Sequence, residues 1–208
     1  VDPKTLVRTV YDCLTGCAKA SEVILATTVP RLVLLPSNPE LAGAEIELVS
    51  MPNREAVLRE VLRDVRGGFE IMFLDCPPAL GLLTVNALVA ASSVLIPVQC
   101  EYYAMEGLGR LMANIQRVQA TFNPDLALEG IVLTMYDARN SLSRQVVEEI
   151  RSHFKDKVYQ TTIPRNVTLA EAPSYGRPVL LYNAHATGAH AYLELSKEFC
   201  KHGKESAR

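Results

Sequence analysis

The sequence predicts an α/β fold, a mostly parallel sheet with helices on both faces. Three observations lead there. Short apolar runs of buried-strand type alternate with segments whose apolar residues recur at helical spacing. The runs at 71–74, 93–98 and 128–135 are apolar nearly throughout, as strands covered on both faces are. Several strands end in polar or turn-forming residues, namely Asp75, Gln99, Thr134–Asp137 and Pro164–Asn166. In a parallel sheet such ends gather on one edge, where open α/β sheets bind ligands.

In chain order, Leu32–Leu35 reads as a short strand after Pro30, and Glu40–Val49 and Arg54–Val65 read as helices. In the second of these, Val57, Leu58, Val61, Leu62 and Val65 form one apolar stripe, and Gly67–Gly68 stops it. The strand 71–74 follows, broken by Pro77–Pro78. Leu82–Ala90 is helical, Ser93–Val98 a buried strand, and Glu106–Ala120 a helix that stops near Asn123–Pro124. Leu128–Met135 is a strong strand, and Leu142–Phe154 a helix with Val146, Val147 and Ile150 inward. Val158–Ile163 is a weaker strand ending at Pro164. Val167–Ala172 opens a short helix closed by Pro173 and Gly176, and Thr187–Cys200 is a terminal helix before a polar tail, 201–208. With no repeat, low-complexity run or long linker, residues 1–208 are expected to form a single domain.

The 208 residues are 49% apolar and 21% charged, with a net charge of −2. This balance fits a globular protein, and any nucleic-acid surface must be a local basic patch. No apolar run has the length of a membrane span, and no signal-peptide pattern opens the chain. Cys13, Cys17, Cys76, Cys100 and Cys200 are odd in number and lack C-x-x-C spacing, so reduced thiols, mostly packing residues, in a cytoplasmic protein are expected. The chain begins with Val1 rather than Met, from which a missing N-terminal part is expected.

Asp75 is a lone carboxylate at the end of an apolar run. That is the Walker B position of nucleotide hydrolases, where the acid helps hold Mg²⁺; the alternative is a strand-ending Asp that caps the next turn. A phosphate site normally needs a Gly-rich loop before a helix, usually with a Lys. Neither G-x-x-x-x-G-K-[ST] nor G-x-G-x-x-G occurs, and Gly107-Leu-Gly109, at a helix start and without a Lys, reads as packing.

A set of blocks spread along the chain resembles the ParA/Soj chromosome- and plasmid-partitioning ATPases, deviant Walker-A P-loop proteins of the MinD/ParA superfamily. The blocks are Leu41-Ala-Gly-Ala-Glu-Ile-Glu-Leu48, Leu74-Asp-Cys-Pro-Pro78, Gly81-Leu-Leu-Thr84, Ile96-Pro-Val-Gln-Cys-Glu-Tyr-Tyr-Ala104 with Glu106-Gly-Leu108, Asp156-Lys-Val-Tyr159, Ile163-Pro-Arg-Asn-Val167 and Glu171-Ala-Pro-Ser174. Members of that family open with a strand, a Lys-Gly-Gly-Val-Gly-Lys-Thr-type P-loop, a helix and a second strand. By the resemblance that segment, with its lysines and the acid that positions attacking water, is missing here. What remains is roughly four-fifths of a typical member.

The resemblance implies roles residue by residue. Asp75 matches the acid that contacts Mg²⁺ through water, and Cys76, Pro77 and Pro78 the switch that senses the γ-phosphate. Pro164 and Asn166, with Thr134 and Met135, match the adenine side of an ATP site; a plain strand-ending turn is the alternative for 164–166. Gln99, Glu101, Tyr102, Tyr103 and Glu106 match a segment near an ATP-dependent homodimer interface, although Tyr102 and Tyr103 read equally well as packing. Arg139 matches a position implicated in sequence-independent DNA binding. Arg144 and Arg151 are seven apart and so share a helix face, which Lys155 extends. The alternative is a solvated face with Arg144 paired to Glu148. Relatives often carry Arg where this chain has Thr168. The implied function is ATP-dependent dimerisation, non-specific DNA binding and hydrolysis stimulated by a ParB/Spo0J-like centromere-binding partner, in the nucleoid-associated cytoplasm of a bacterium. Without a P-loop the chain by itself is expected to bind ATP weakly or not at all, as a non-catalytic remnant or interaction fragment would. A MinD-like membrane ATPase needs an amphipathic anchor, and Lys201–Arg208 lacks an apolar face.

Overall fold

The computed structural model describes residues 5–77 and 81–206, with side chains through 202. The chain forms two compact units, residues 1–92 with 115–126, and residues 93–114 with 127–208.

In the first unit, α1 (Val10–Leu14) is opened by a capping box. Thr9 Oγ1 accepts from the Tyr11 N–H, and Asp12 accepts from the Thr9 N–H at 2.8 Å. After α2 (Ala20–Val23), β1 (Leu25–Ala26) and β2 (Val33–Leu34) pair antiparallel. Next come α3 (Leu41–Leu48), α4 (Val57–Arg63) and α5 (Leu82–Ala90). Leu14, Ala44 and Leu48 centre a core that Leu41, Val57, Leu58, Leu82 and Leu83 surround. Asn86, buried in α5, ties three backbone groups together. Its Oδ1 accepts from the Leu58 N–H at 3.0 Å, and its Nδ2 donates to the Arg54 and Leu82 carbonyls at 2.7 and 3.0 Å. Glu45 of α3 accepts from the Leu83 N–H at 3.2 Å, satisfying one of the donors left open at the start of α5. Gly81 leaves room for it, since a Cβ there would meet Glu45 Oε1 at 2.1 Å.

The expected strand 71–74 does not form: residues 71–77 adopt neither strand nor helix, and both described ladders lie elsewhere. Ile71 and Phe73 are 51% and 72% exposed. The apolar run has strand chemistry, but a strand is a ladder, and the run enters neither described ladder.

In the second unit, β3 (Ser93–Gln99), β4 (Ala127–Tyr136) and β5 (Val158–Pro164) form a three-stranded parallel sheet in the order β3-β4-β5. The helix α6 (Ala104–Thr121) follows β3, α7 (Ser141–Phe154) joins β4 to β5, and α8 (Val167–Glu171), α9 (Val179–Tyr182) and α10 (Thr187–Ser206) complete the chain. Val132, Tyr159 and Ile163 pack on one face against Leu195 and Phe199 of α10. Ile131 and Leu133, which strand alternation puts on the opposite face, are wholly buried, so both faces are covered. A bulge places Glu129 outside the ladder, because Val94 pairs with Leu128 and Leu95 with Gly130. Glu129 Oε1 then accepts from the Tyr159 hydroxyl at 3.1 Å. Gly130 lets the Tyr159 ring lie on the backbone, since a Cβ there would meet that ring at 2.5 Å. Burial, then the Glu129 carboxylate, pushes the Tyr159 hydroxyl pKa well up. The outer edge of β5 is blocked by Glu198 of α10, whose carboxylate accepts from the Gln160 and Thr161 N–H groups at 2.6 and 3.0 Å.

Two smaller readings need correction. Gly107 and Gly109 lie within α6, but a Cβ at either would meet nothing within 4 Å, so neither permits close packing. Cys13 and Cys100 are buried, whereas Cys17, Cys76 and Cys200 are exposed, so most of the thiols are not core residues. All five are free.

Candidate nucleotide site at the carboxyl edge of the sheet

Three of the four polar strand ends do converge. Gln99 is level with Thr134 and Tyr136 with Pro164, so the ends of β3, β4 and β5 form one edge. The backbone ties this edge together: the Cys100 N–H donates to the Thr134 carbonyl and the Arg165 N–H to the Tyr136 carbonyl, both at 3.0 Å. The fourth residue, Asp75, lies in the first unit on an exposed, non-regular segment, with Cys76 and Pro77 beside it. Pro78 lies outside the described residues.

At this edge, Thr134 Oγ1 donates to the Val98 carbonyl at 3.2 Å. Met135 adopts φ 54, a left-handed conformation that a residue with a side chain takes only where its surroundings impose it. Asn166 caps α8: its Oδ1 accepts from the Leu169 N–H at 3.3 Å, and its Nδ2 donates to Thr187 Oγ1 at 2.8 Å. A cavity of about 410 Å³ opens between these ends, lined in part by Cys100, Met135, Asp137, Ser143 and Arg165. Burial raises the Cys100 thiol pKa, with Ser143 and Arg151 working against that rise.

A second, shallower groove of about 540 Å³ runs along the β3–α6 junction past Gln99, Glu101, Tyr102 and Leu108. Tyr102 and Tyr103 are both exposed and meet edge-to-face at 5.0 Å. Neither is a core residue. Glu106 pairs with Arg110 on the outer face of α6.

The arginines divide. Arg139 is highly exposed and forks onto Asp137, with Nε and Nη2 donating at 3.1 and 3.0 Å. That contact holds the Asp137 carboxyl well below its ordinary value, at about 2. Arg144 donates to the Ala138 carbonyl at 2.6 Å, bracing the loop instead of pairing with Glu148. Arg151 turns against β5: Nη2 donates to the Gln160 carbonyl at 2.9 Å, and its buried Nε has no partner. Arg144 and Arg151 therefore engage different backbone groups, although helical spacing puts them on one face. Asn140 lines the cavity without having been named in the sequence reading, and Asp137 and Arg165, which that reading placed only within the ranges 134–137 and 164–166, line it too. An Asp-x-Arg pair at a strand end and an Asn ahead of an amphipathic helix were the available signals.

A family model described as an AAA domain matches residues 1–128. Over 194 residues the chain is 52% identical to the sporulation initiation inhibitor protein Soj of Bacillus subtilis, covering 93% of this chain and 77% of that protein. It is 48% identical over 193 residues to the chromosome partitioning protein ParA of Myxococcus xanthus, covering 93% of this chain and 68% of that protein.

The chain belongs to the ParA/Soj family of partitioning ATPases.

The ParA/Soj fold is matched in a solved structure as well. Cobyrinic acid a,c-diamide synthase from Mycobacterium smegmatis, with a bound ATP analogue and magnesium, superposes with a TM-score of 0.83 at 35% identity, covering 100% of this chain and 77% of that one. The residues present fit part of such a ligand. In the second unit the carboxyl edge supplies a cavity that Met135 lines but Thr134, Pro164 and Asn166 do not; in the first unit Asp75 is an exposed carboxylate. No group of three or more metal-ligating side chains occurs among the described residues. The 208 residues contain no Gly-rich loop with a Lys to cradle phosphates.

Proposed function

We propose that this chain belongs to a ParA/Soj-like partitioning ATPase that acts in chromosome or plasmid segregation. The observation that carries the reading is the 52% identity to Soj across 93% of the chain. In this reading ATP bridges two copies into a homodimer, the dimer binds DNA without sequence preference, and a ParB/Spo0J-like partner stimulates hydrolysis in the nucleoid-associated cytoplasm. Pro164, Asn166, Thr134 and Met135 hold the adenine, and Asp75 positions Mg²⁺ through a water. Cys76, Pro77 and Pro78 form the switch, and Gln99, Glu101, Tyr102 and Glu106 face the second subunit. Arg139 meets DNA phosphates, with Arg144 and Arg151 supporting it. Bound Mg²⁺–ATP supplies the reactive phosphate and its charge compensation. The residues of this chain orient the base end and one side of the metal, which is positioning rather than acid–base chemistry.

The sequence also favours a second reading for the isolated chain. With no phosphate cradle in its 208 residues, it acts as an interaction fragment and does not turn over ATP alone. No described helix is long and apolar enough to cross a membrane.

The test is ATP hydrolysis by the intact protein with duplex DNA and its centromere-binding partner. Turnover several-fold above that with either alone supports the reading, and no stimulation by the pair contradicts it.

A further inference from the structure

Four charged side chains alternate in sign along the carboxyl edge of the sheet. Arg165 Nη2 donates to Glu101 Oε1 at 2.8 Å. Arg139 forks onto Asp137, and its own backbone N–H adds a third bond to Asp137 Oδ1 at 3.0 Å. Glu101, Asp137 and Arg165 line the same cavity. Arg165 is near enough for its charge to favour ionised Asp137, after the larger effect of Arg139 itself. Asp137 therefore stands between two guanidinium groups, one bonded to it and the other held by Glu101.

The loop backbone beneath the array is fixed. Asn140 caps α7 by accepting from the Leu142 N–H at 3.0 Å, Arg144 holds the Ala138 carbonyl, and the Asp137 N–H donates to Ser143 Oγ at 3.3 Å. The side-chain pairing above it is exchangeable: the Arg139 side chain is 91% exposed, and those of Glu101 and Arg165 are 56% and 54% exposed. Pairs this open to solvent exchange at little cost.

We infer that Asp137 is a positioning residue that withholds Arg139 from nucleic-acid phosphates, and that Glu101, by occupying Arg165, keeps Asp137 committed to Arg139. When Arg165 leaves Glu101 for Asp137, the carboxylate is shared and the already exposed Arg139 guanidinium is released from its fork to meet a phosphate. Duplex DNA is the anionic polymer this arrangement gates, an assignment that rests on the reading above that Arg139 contacts DNA phosphates. Glu101 sits two residues after β3 and Arg165 directly after β5, so any shift of either strand end reaches Arg139 through side chains alone.

The experiment uses the intact protein with Mg²⁺–ATP, a 30-base-pair duplex of arbitrary sequence, and fluorescence anisotropy at several salt concentrations. Asp137→Asn is expected to raise affinity about two- to five-fold and to steepen the slope of log K against log salt by about 0.9. Glu101→Gln is expected to give a smaller rise that vanishes in the Asp137→Asn background. Two independent charge removals would instead add, and additivity overturns the inference, as does an Asp137→Asn variant with unchanged or weakened binding. Side-chain ¹⁵N spectra read the ion pairs without DNA. The Arg139 Nε–H is expected to exchange faster with water in Glu101→Gln, and an unchanged rate overturns the exchange mechanism. Should Arg139→Ala bind DNA like the unaltered chain, the DNA assignment fails, while the nitrogen spectra still decide whether Glu101 controls Arg139.

Discussion

Asn166 has a structural duty that is separable from any contact with a nucleotide, and the separation predicts how its variants behave. Its Oδ1 caps α8 through the Leu169 N–H, and its Nδ2 ties that cap to Thr187 at the start of α10. Asn166→Ala loses both. Loss of an N-cap costs about 1 kcal/mol, and an exposed neutral hydrogen bond adds about 0.5 kcal/mol. The variant should therefore lose about 1.5 kcal/mol, and Tm should fall by about 3–6 °C for a chain of this size. Asn166→Asp keeps the capping acceptor and loses only the donor to Thr187, so it should lose about 0.5 kcal/mol. Urea and thermal unfolding measure both. An Asp variant as unstable as the Ala variant would refute the capping account, as would two variants indistinguishable from the unaltered chain. If Asn166 also reads the adenine edge, the Asp variant should lose nucleotide affinity out of proportion to its small loss of stability.

Gly130→Ala should destabilise by about 2 kcal/mol, because the new Cβ meets the Tyr159 ring at 2.5 Å and the Lys157 carbonyl at 3.2 Å, neither of which is free to swing away; an unchanged urea midpoint would argue against it. Asn86→Leu should cost about 2–4 kcal/mol, since it strands the Leu58 N–H and the Arg54 carbonyl in a part-buried setting, and retention of full stability would refute the hub role. The Asp137 carboxyl should titrate near 2 rather than 3.8. Because its folded pKa is depressed, the stabilisation by Arg139 is fully present above the ordinary value and lost only as pH falls through about 2. A carboxyl ¹³C titration with a midpoint near 4 would contradict the bidentate contact.

The second unit was legible because its strands carry their own evidence. Leu128–Met135 carries the apolar run Ile131–Leu133 and is flanked by turn residues, and it became the central β4, where both faces are covered. Its neighbours end in Gln99 and Pro164, and the register brings those ends level, as the spacing required. The run at 71–74 failed because strand character is a property of a pair. Apolar residues there signal burial, but the sequence does not say whether a partner is present. The start of α1 was readable and missed: Thr9-x-x-Asp12 is a capping box, but the helix it opens is only five residues long. At the site, helical spacing put Arg144 and Arg151 on one face without saying where long side chains end. One braces the Ala138 carbonyl and the other lies against β5. The pairing of Arg165 with Glu101 joins residues 64 apart, which no local pattern reveals.

The central claim is that this chain carries the base side and one acidic contact of an ATP site and lacks its phosphate side. The most direct measurement is the equilibrium affinity of the 208-residue chain for Mg²⁺–ATP, alone and fused behind a strand–P-loop–helix–strand segment of the Lys-Gly-Gly-Val-Gly-Lys-Thr type. The account predicts binding too weak to saturate at millimolar ATP for the chain alone, and Mg²⁺-dependent binding at least about a hundredfold tighter after fusion, the equivalent of about 3 kcal/mol. Tight Mg²⁺-dependent binding by the chain alone would contradict it, as would no gain on fusion.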